Sequence, residues 1–184
     1  MQPGVLYRAI YTLIGEFMGM FSFIKEAGEK LFGRGEAKAA QEAAAAKPTP
    51  ENVAALSKTA GDAIETYVNS MGLKVDALEI SYDAPTGTVT VAGVAPDQAT
   101  KEKVLLCCGN VANVSTVKDM MTVANSSAES KMYVVVSGDN LSKISQHFYG
   151  TPSKYTQIFE ANKPMLSDPD KIYPGQVLRI PAEA

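Results

Sequence analysis

The stretch from Met132 to Pro181 constrains the fold more than any other, because its strand, cap and turn residues follow one another at short intervals. Tyr133-Val134-Val135-Val136 is a β-branched run closed by Ser137-Gly138, which predicts a strand and a turn. Asp139 is placed to cap a helix carrying Leu141, Ile144 and Phe148 at i, i+3 and i+7. Gly150 stops that helix. Thr151-Pro152 starts another, with Thr as N-cap and Pro at the first helical position. Tyr155, Ile158 and Phe159 line this second helix, and Asn162-Lys163-Pro164 ends it. A Pro174-Gly175 turn leads into a last strand, Gln176 to Pro181. A short β-α-α-β unit without a catalytic inventory points to binding rather than chemistry.

A second unit precedes it. Thr49-Pro50 opens a helix as N-cap and N1, and Val53, Leu56, Ala60, Ile64, Tyr67, Val68 and Met71 hold one face until Gly72. Two alternating strands follow, Leu78 to Tyr82 and Thr88 to Val91, joined by the turn Asp83-Ala84-Pro85-Thr86-Gly87. Gly93 is expected to break the second strand. A helix is predicted from Pro96 to Cys108, stopped by Gly109-Asn110, and a third strand from Ser115 to Val123. Upstream, Phe21, Ile24, Ala27 and Leu31 recur at helical spacing between Lys25, Glu26, Glu29 and Lys30, an amphipathic helix ended by Gly33-Arg34-Gly35. The expected plan is α+β: an N-terminal extension (1–17), a docking helix (18–33), an Ala/Glu/Lys linker or frayed helix (34–48), an α-β-β-α-β domain (49–124), a polar linker (125–131) and the β-α-α-β domain (132–184).

Composition narrows the function classes. The net charge is −3 and no basic patch with interleaved aromatics occurs, so nucleic acid is not an expected partner. The only two cysteines, Cys107 and Cys108, are neighbours; a bridge between them would be strained, so they are expected to be free thiols, as in a reducing cytoplasm. The single histidine, His147, cannot make a zinc site alone and is expected at the surface. No Ser or Cys stands in a nucleophile motif, so no enzyme is expected. The apolar start is interrupted by Glu16 and is too short to span a membrane, which takes about 20 apolar residues. Nor does it make a good signal peptide. It is read as an extension upstream of Met18; the competing reading is a membrane-associating helix. The chain is expected to be a monomer that does not engage membranes.

The C-terminal unit resembles a LysM domain through Tyr133 to Ser145, Ile158-Phe159-Glu160-Ala161-Asn162-Lys163-Pro164, and Ile172 to Pro181. That resemblance implies binding of N-acetylglucosamine-containing glycans such as peptidoglycan, with Gly138, Asp139 and Asn140 on one wall of a groove and Ile172 and Tyr173 on the other. The competing reading is that Asp139 only caps and Ile172 only packs. The preceding unit resembles a BON domain through Gly87 to Ala95, Ala99 to Val104, and Gly109 to Val114. Met18 to Leu31, a BON block and a LysM domain, in that order, resemble the bacterial cytosolic potassium-binding family. The family implies K+ held by main-chain carbonyls of Ile24, Ala27 and Glu29 from the N-terminal helix and of Gly109, Val111 and Val114 from the turn after the second BON helix. It also implies an ion sensor that closes on binding, with LysM as a stabilising or docking module. Ala112-Asn113 stands where the family has a Ser-Gly pair; Asn tolerates the left-handed φ such a turn uses. The alternative reading is a peptidoglycan binder acting through LysM.

The chemistry is coherent with a backbone site. Potassium is large and is well held by carbonyl oxygens that replace its water shell, whereas carboxylate clusters suit calcium or magnesium. A helix C-terminus presents its last carbonyls at the negative end of the macrodipole. The helix ending near Gly109 is therefore a sensible wall for such a ring.

Overall fold

The structure is a computed structural model that describes residues 35–111 and 113–182. The stretch expected to be a linker or a frayed helix is a helix, α1 (Gly35–Ala46), packed beside α2 (Pro50–Ser70). Asn52 ties them together: its Nδ2 donates to the carbonyls of Ala43 at 3.3 Å and Lys47 at 2.8 Å, at the C-terminal end of α1. Alanine needs no core to favour a helix, and a neighbouring helix supplies what local sequence lacked. α2 begins as its residues dictate, with Thr49 Oγ1 accepting from the Asn52 N–H at 3.3 Å.

α2 leads into β1 (Asp76–Asp83), β2 (Thr88–Asp97), α3 (Gln98–Gly109) and β3 (Thr116–Asn125). The sheet order is β1-β2-β3, with β1 antiparallel and β3 parallel to β2. Parallel pairing requires a crossover, and α3 provides it. Ile64 and Val68 of α2, Val89 and Val91 of β2, Val104 and Cys108 of α3, and Val117 of β3 close the core. Gly93 does not end β2. The strand runs on to Asp97, and Gly93 (φ +139) lets β1 approach at the bulge between Asp76 and Glu79. A Cβ there would lie 2.9 Å from Val75 Cγ1 and 3.1 Å from the Asp76 carbonyl. The cap of α3 is Asp97, whose carboxylate accepts from the Thr100 N–H at 2.7 Å. Pro96 therefore belongs to the strand.

The C-terminal unit consists of β4 (Lys131–Val134), α4 (Leu141–Tyr149), a 3₁₀ turn (Pro152–Lys154), α5 (Tyr155–Ala161) and β5 (Val177–Ile180), with β4 and β5 antiparallel. Its core is Val135, Leu141, Ile144, Ile158, Leu178 and Ile180. Asn140, not Asp139, caps α4, accepting from the Lys143 N–H at 2.8 Å. Asp139 sits one residue too early; its carboxylate instead accepts from the Val136 N–H at 2.9 Å and the Tyr133 hydroxyl at 2.8 Å. Tyr155 lies at the surface rather than in the lining of α5. Among the described residues no helix is long and apolar enough to cross a membrane.

The two units are docked. Glu102 of α3 is 3% exposed and pairs with Arg179 of β5. It also accepts from Gln98 Nε2 at 3.0 Å and from the Ser130 N–H at 2.9 Å. Burial alone would raise the Glu102 carboxyl, but the guanidinium, the amide and the N–H outweigh it and hold it below its ordinary value. Met165 packs against the first core.

Candidate functional site

The turn after α3 is gripped at both ends. At its start, the Asn110 N–H donates to the Leu106 carbonyl at 3.0 Å, ending the helix. The Asn110 side chain reaches across to β5, accepting from the Val177 N–H at 3.3 Å and donating to its carbonyl at 3.5 Å. Asn162 does the same two residues on, accepting from the Arg179 N–H and donating to the Arg179 carbonyl, both at 2.8 Å. Two asparagines thus occupy the outer edge of β5, one from each unit, where strand groups would otherwise be open.

At its exit the turn is held by the β1–β2 hairpin. The Gly87 carbonyl accepts from the Ser115 N–H at 2.7 Å and the Thr116 N–H at 3.3 Å. Gly87 has φ +63, and a Cβ on it would lie 2.8 Å from both the Asn113 carbonyl oxygen and Ser115 Oγ. Between the anchors, the Val111 N–H donates to the Cys108 carbonyl at 3.3 Å and the Val114 N–H to the Val111 carbonyl at 3.2 Å. Asn113 has φ +68, the left-handed conformation for which Asn is suited, and its carbonyl accepts from the Tyr82 hydroxyl at 3.0 Å.

Of the residues singled out for an ion, Gly109 is the last of α3, while Val111 and Val114 are 3% and 7% exposed within one turn. Among the described residues, the turn's own backbone bonds engage the Val111 carbonyl once and do not use the Val114 carbonyl. Ile24, Ala27 and Glu29 lie outside the described residues. Among the described residues no three His, Cys, Asp or Glu side chains gather in a metal-holding group. A groove beside the turn is lined by Leu56, Ala60, Tyr82, Gly87, Asn113 and Ser115.

The residues singled out for glycan are less uniformly presented. Gly138 and Asn140 are exposed, and Lys143 Nζ donates to the Gly138 carbonyl at 2.7 Å. Asp139 is engaged with Tyr133 and the Val136 N–H. Ile172 packs on the C-terminal core. Tyr173 is half-buried, and desolvation raises its hydroxyl. The phenol of Tyr67 in α2 is raised to about 12, first by its own burial.

Cys107 and Cys108 are both free and buried, and burial pushes the Cys107 thiol up to about 12 and that of Cys108 higher still. His147 is exposed, its ring edge-on to Phe148 at 4.8 Å. Sequence reasoning missed Tyr82, Gly87 and Asn110. For Asn110 a signal existed, an Asn following a helix stop; for Tyr82 there was none, since its partner lies 31 positions away.

Residues 133–181 match the model of the LysM domain. A 50-residue stretch is 50% identical to an uncharacterised protein of Deinococcus radiodurans, covering 27% of this chain and 19% of that protein. A further relative is the potassium binding protein Kbp of Escherichia coli, 40% identical over 166 residues, 90% of this chain and 100% of that protein. Identity that spans all of this relative, across both folded units, places the chain in the family of the potassium binding protein Kbp.

Proposed function

We propose that this chain binds a potassium ion in the cytoplasm, as a monomeric ion sensor rather than a catalyst. Main-chain carbonyls of Gly109, Val111 and Val114 form one wall of the site and those of Ile24, Ala27 and Glu29 the other. The observation that carries this reading is the full-length relationship to a potassium binding protein. The local geometry supports it: a helix C-terminus, a left-handed Asn113 and a Val114 carbonyl that the turn's own bonds do not use. Neutral carbonyls match a weakly hydrated monovalent ion better than a divalent one. Ion binding closes the N-terminal segment onto the turn, and the docked C-terminal domain stabilises the closed form.

Glycan binding through LysM takes second place. It draws support from the domain match, but of the residues expected on its walls Asp139 is engaged with Tyr133 and the Val136 N–H, and Ile172 packs on the C-terminal core.

The test is thermal melting in potassium chloride against sodium chloride at equal ionic strength. A ligand selective for the folded state adds about 2.7 kcal/mol at a hundredfold excess over Kd, so potassium raises the melting point. Identical melting in the two salts rejects the proposal.

A further inference from the structure

We propose that Tyr82 is a positioning residue for potassium, acting through the peptide that joins Asn113 to Val114; this rests on the ion site proposed above. A trans peptide points its C=O and N–H in opposite directions. The Tyr82 hydroxyl draws the Asn113 carbonyl to one side at 3.0 Å. The Val114 N–H on the same peptide is thereby aimed the other way, where it meets the Val111 carbonyl at 3.2 Å. One hydroxyl so steadies the peptide whose N–H closes the 111–114 turn on the Val111 carbonyl and from which the chain enters Val114.

The same bond has a second effect. Asn113 is a left-handed residue, and its carbonyl lies in the same turn as those assigned to the ion. Engaging it keeps it out of the ring. Tyr82 can do this because it stands on a rigid platform. It pairs with Val89 across β1–β2, its ring packs against the core, and the same hairpin supplies Gly87, which holds Ser115 and Thr116. Burial, with Asp83 nearby, raises the Tyr82 phenol, so the donated proton stays in place at neutral pH.

The experiment compares wild type, Tyr82→Phe and Tyr149→Phe by potassium and sodium titration, monitored calorimetrically. Tyr149 is the control because its hydroxyl makes the same kind of bond, to the Pro181 carbonyl at 2.7 Å, in the C-terminal unit. Losing one neutral hydrogen bond that aligns ligands should weaken potassium binding about fivefold in Tyr82→Phe. Potassium-over-sodium preference should fall with it, and the Val114 amide should exchange faster in sodium. Tyr149→Phe should keep wild-type potassium affinity. Unchanged potassium affinity in Tyr82→Phe overturns the positioning role, as does equal weakening in both variants or a Tyr82→Phe chain that does not fold. Absence of any potassium response in wild type overturns the ion site itself, so the two failures are distinguishable.

Discussion

Replacing Arg179 with Met tests how the two units depend on each other. The change removes the guanidinium, with its charge and the N–H that donates to Glu102, and leaves a shorter apolar side chain. Arg179 and Glu102 side chains are 11% and 4% exposed, so this is a buried pair rather than a surface one. Removing one partner strands a buried charge, which costs about 3 kcal/mol. The Gln98 amide and Ser130 N–H remain on Glu102 and keep the figure near the low end of that class. For a chain of this length the melting point should fall by about 3 °C per kcal/mol, hence by about 9 °C at pH 7. The pH dependence carries the sign. In the wild type the folded Glu102 value lies below its ordinary 4.5. Its contribution is therefore complete above 4.5 and is lost as pH falls through the lower folded value. In Arg179→Met, burial acts with less opposition and raises the folded value, so the variant is relieved by protonation. The gap between the two proteins should narrow as pH falls through the variant's raised value toward the wild type's lowered one. Glu102→Leu with Arg179→Met should recover most of the loss, since apolar side chains of similar volume replace a buried pair at little cost. Urea unfolding at pH 7 and pH 4 reads all of this. A loss under about 1 kcal/mol, or a gap independent of pH, would refute the reasoning.

Gly87→Ala should destabilise the chain by about 2 kcal/mol, combining a left-handed backbone with a Cβ only 2.8 Å from the Asn113 carbonyl; because it displaces the turn, its potassium-induced melting shift should also shrink, and an unchanged shift would show that the turn is not the ion wall. Cys107 and Cys108 should react with a thiol reagent at pH 8 only as fast as the chain unfolds, because the folded Cys107 value is about 12 and that of Cys108 is higher; rapid labelling of the native chain would contradict their burial.

Much of the architecture was legible locally. Thr49-Pro50, the 83–87 turn, the Gly150 stop and the Thr151-Pro152 restart signal their own structures, because a cap or a fixed φ is a property of one or two residues. Where reading failed, a neighbour outweighed the local signal. Residues 35–46 read as a linker or a frayed helix because they carry no apolar face, and Asn52 and α2 organise them as a helix. Gly93 looked like a breaker, but a central strand bonded on both sides continues through it, and the missing side chain serves the bulge instead. Asp139 and Asn140 are both good caps, and register alone selected Asn140.

The sequence by itself determined the order of elements from Thr49 onward and the two cores, since periodicity and turn residues are written along the chain. Family resemblance added the proposed carbonyl set, because main-chain ligands leave almost no side-chain trace. Only the tertiary structure decided what holds those carbonyls in place. Tyr82 on Asn113, Gly87 under Ser115, Asn110 on Val177 and Glu102 on Arg179 join positions 28 to 77 residues apart. Such contacts depend on how β1, β2, α3 and β5 come together. No local pattern encodes a distance between elements, so these partners emerge only once both units are folded and docked.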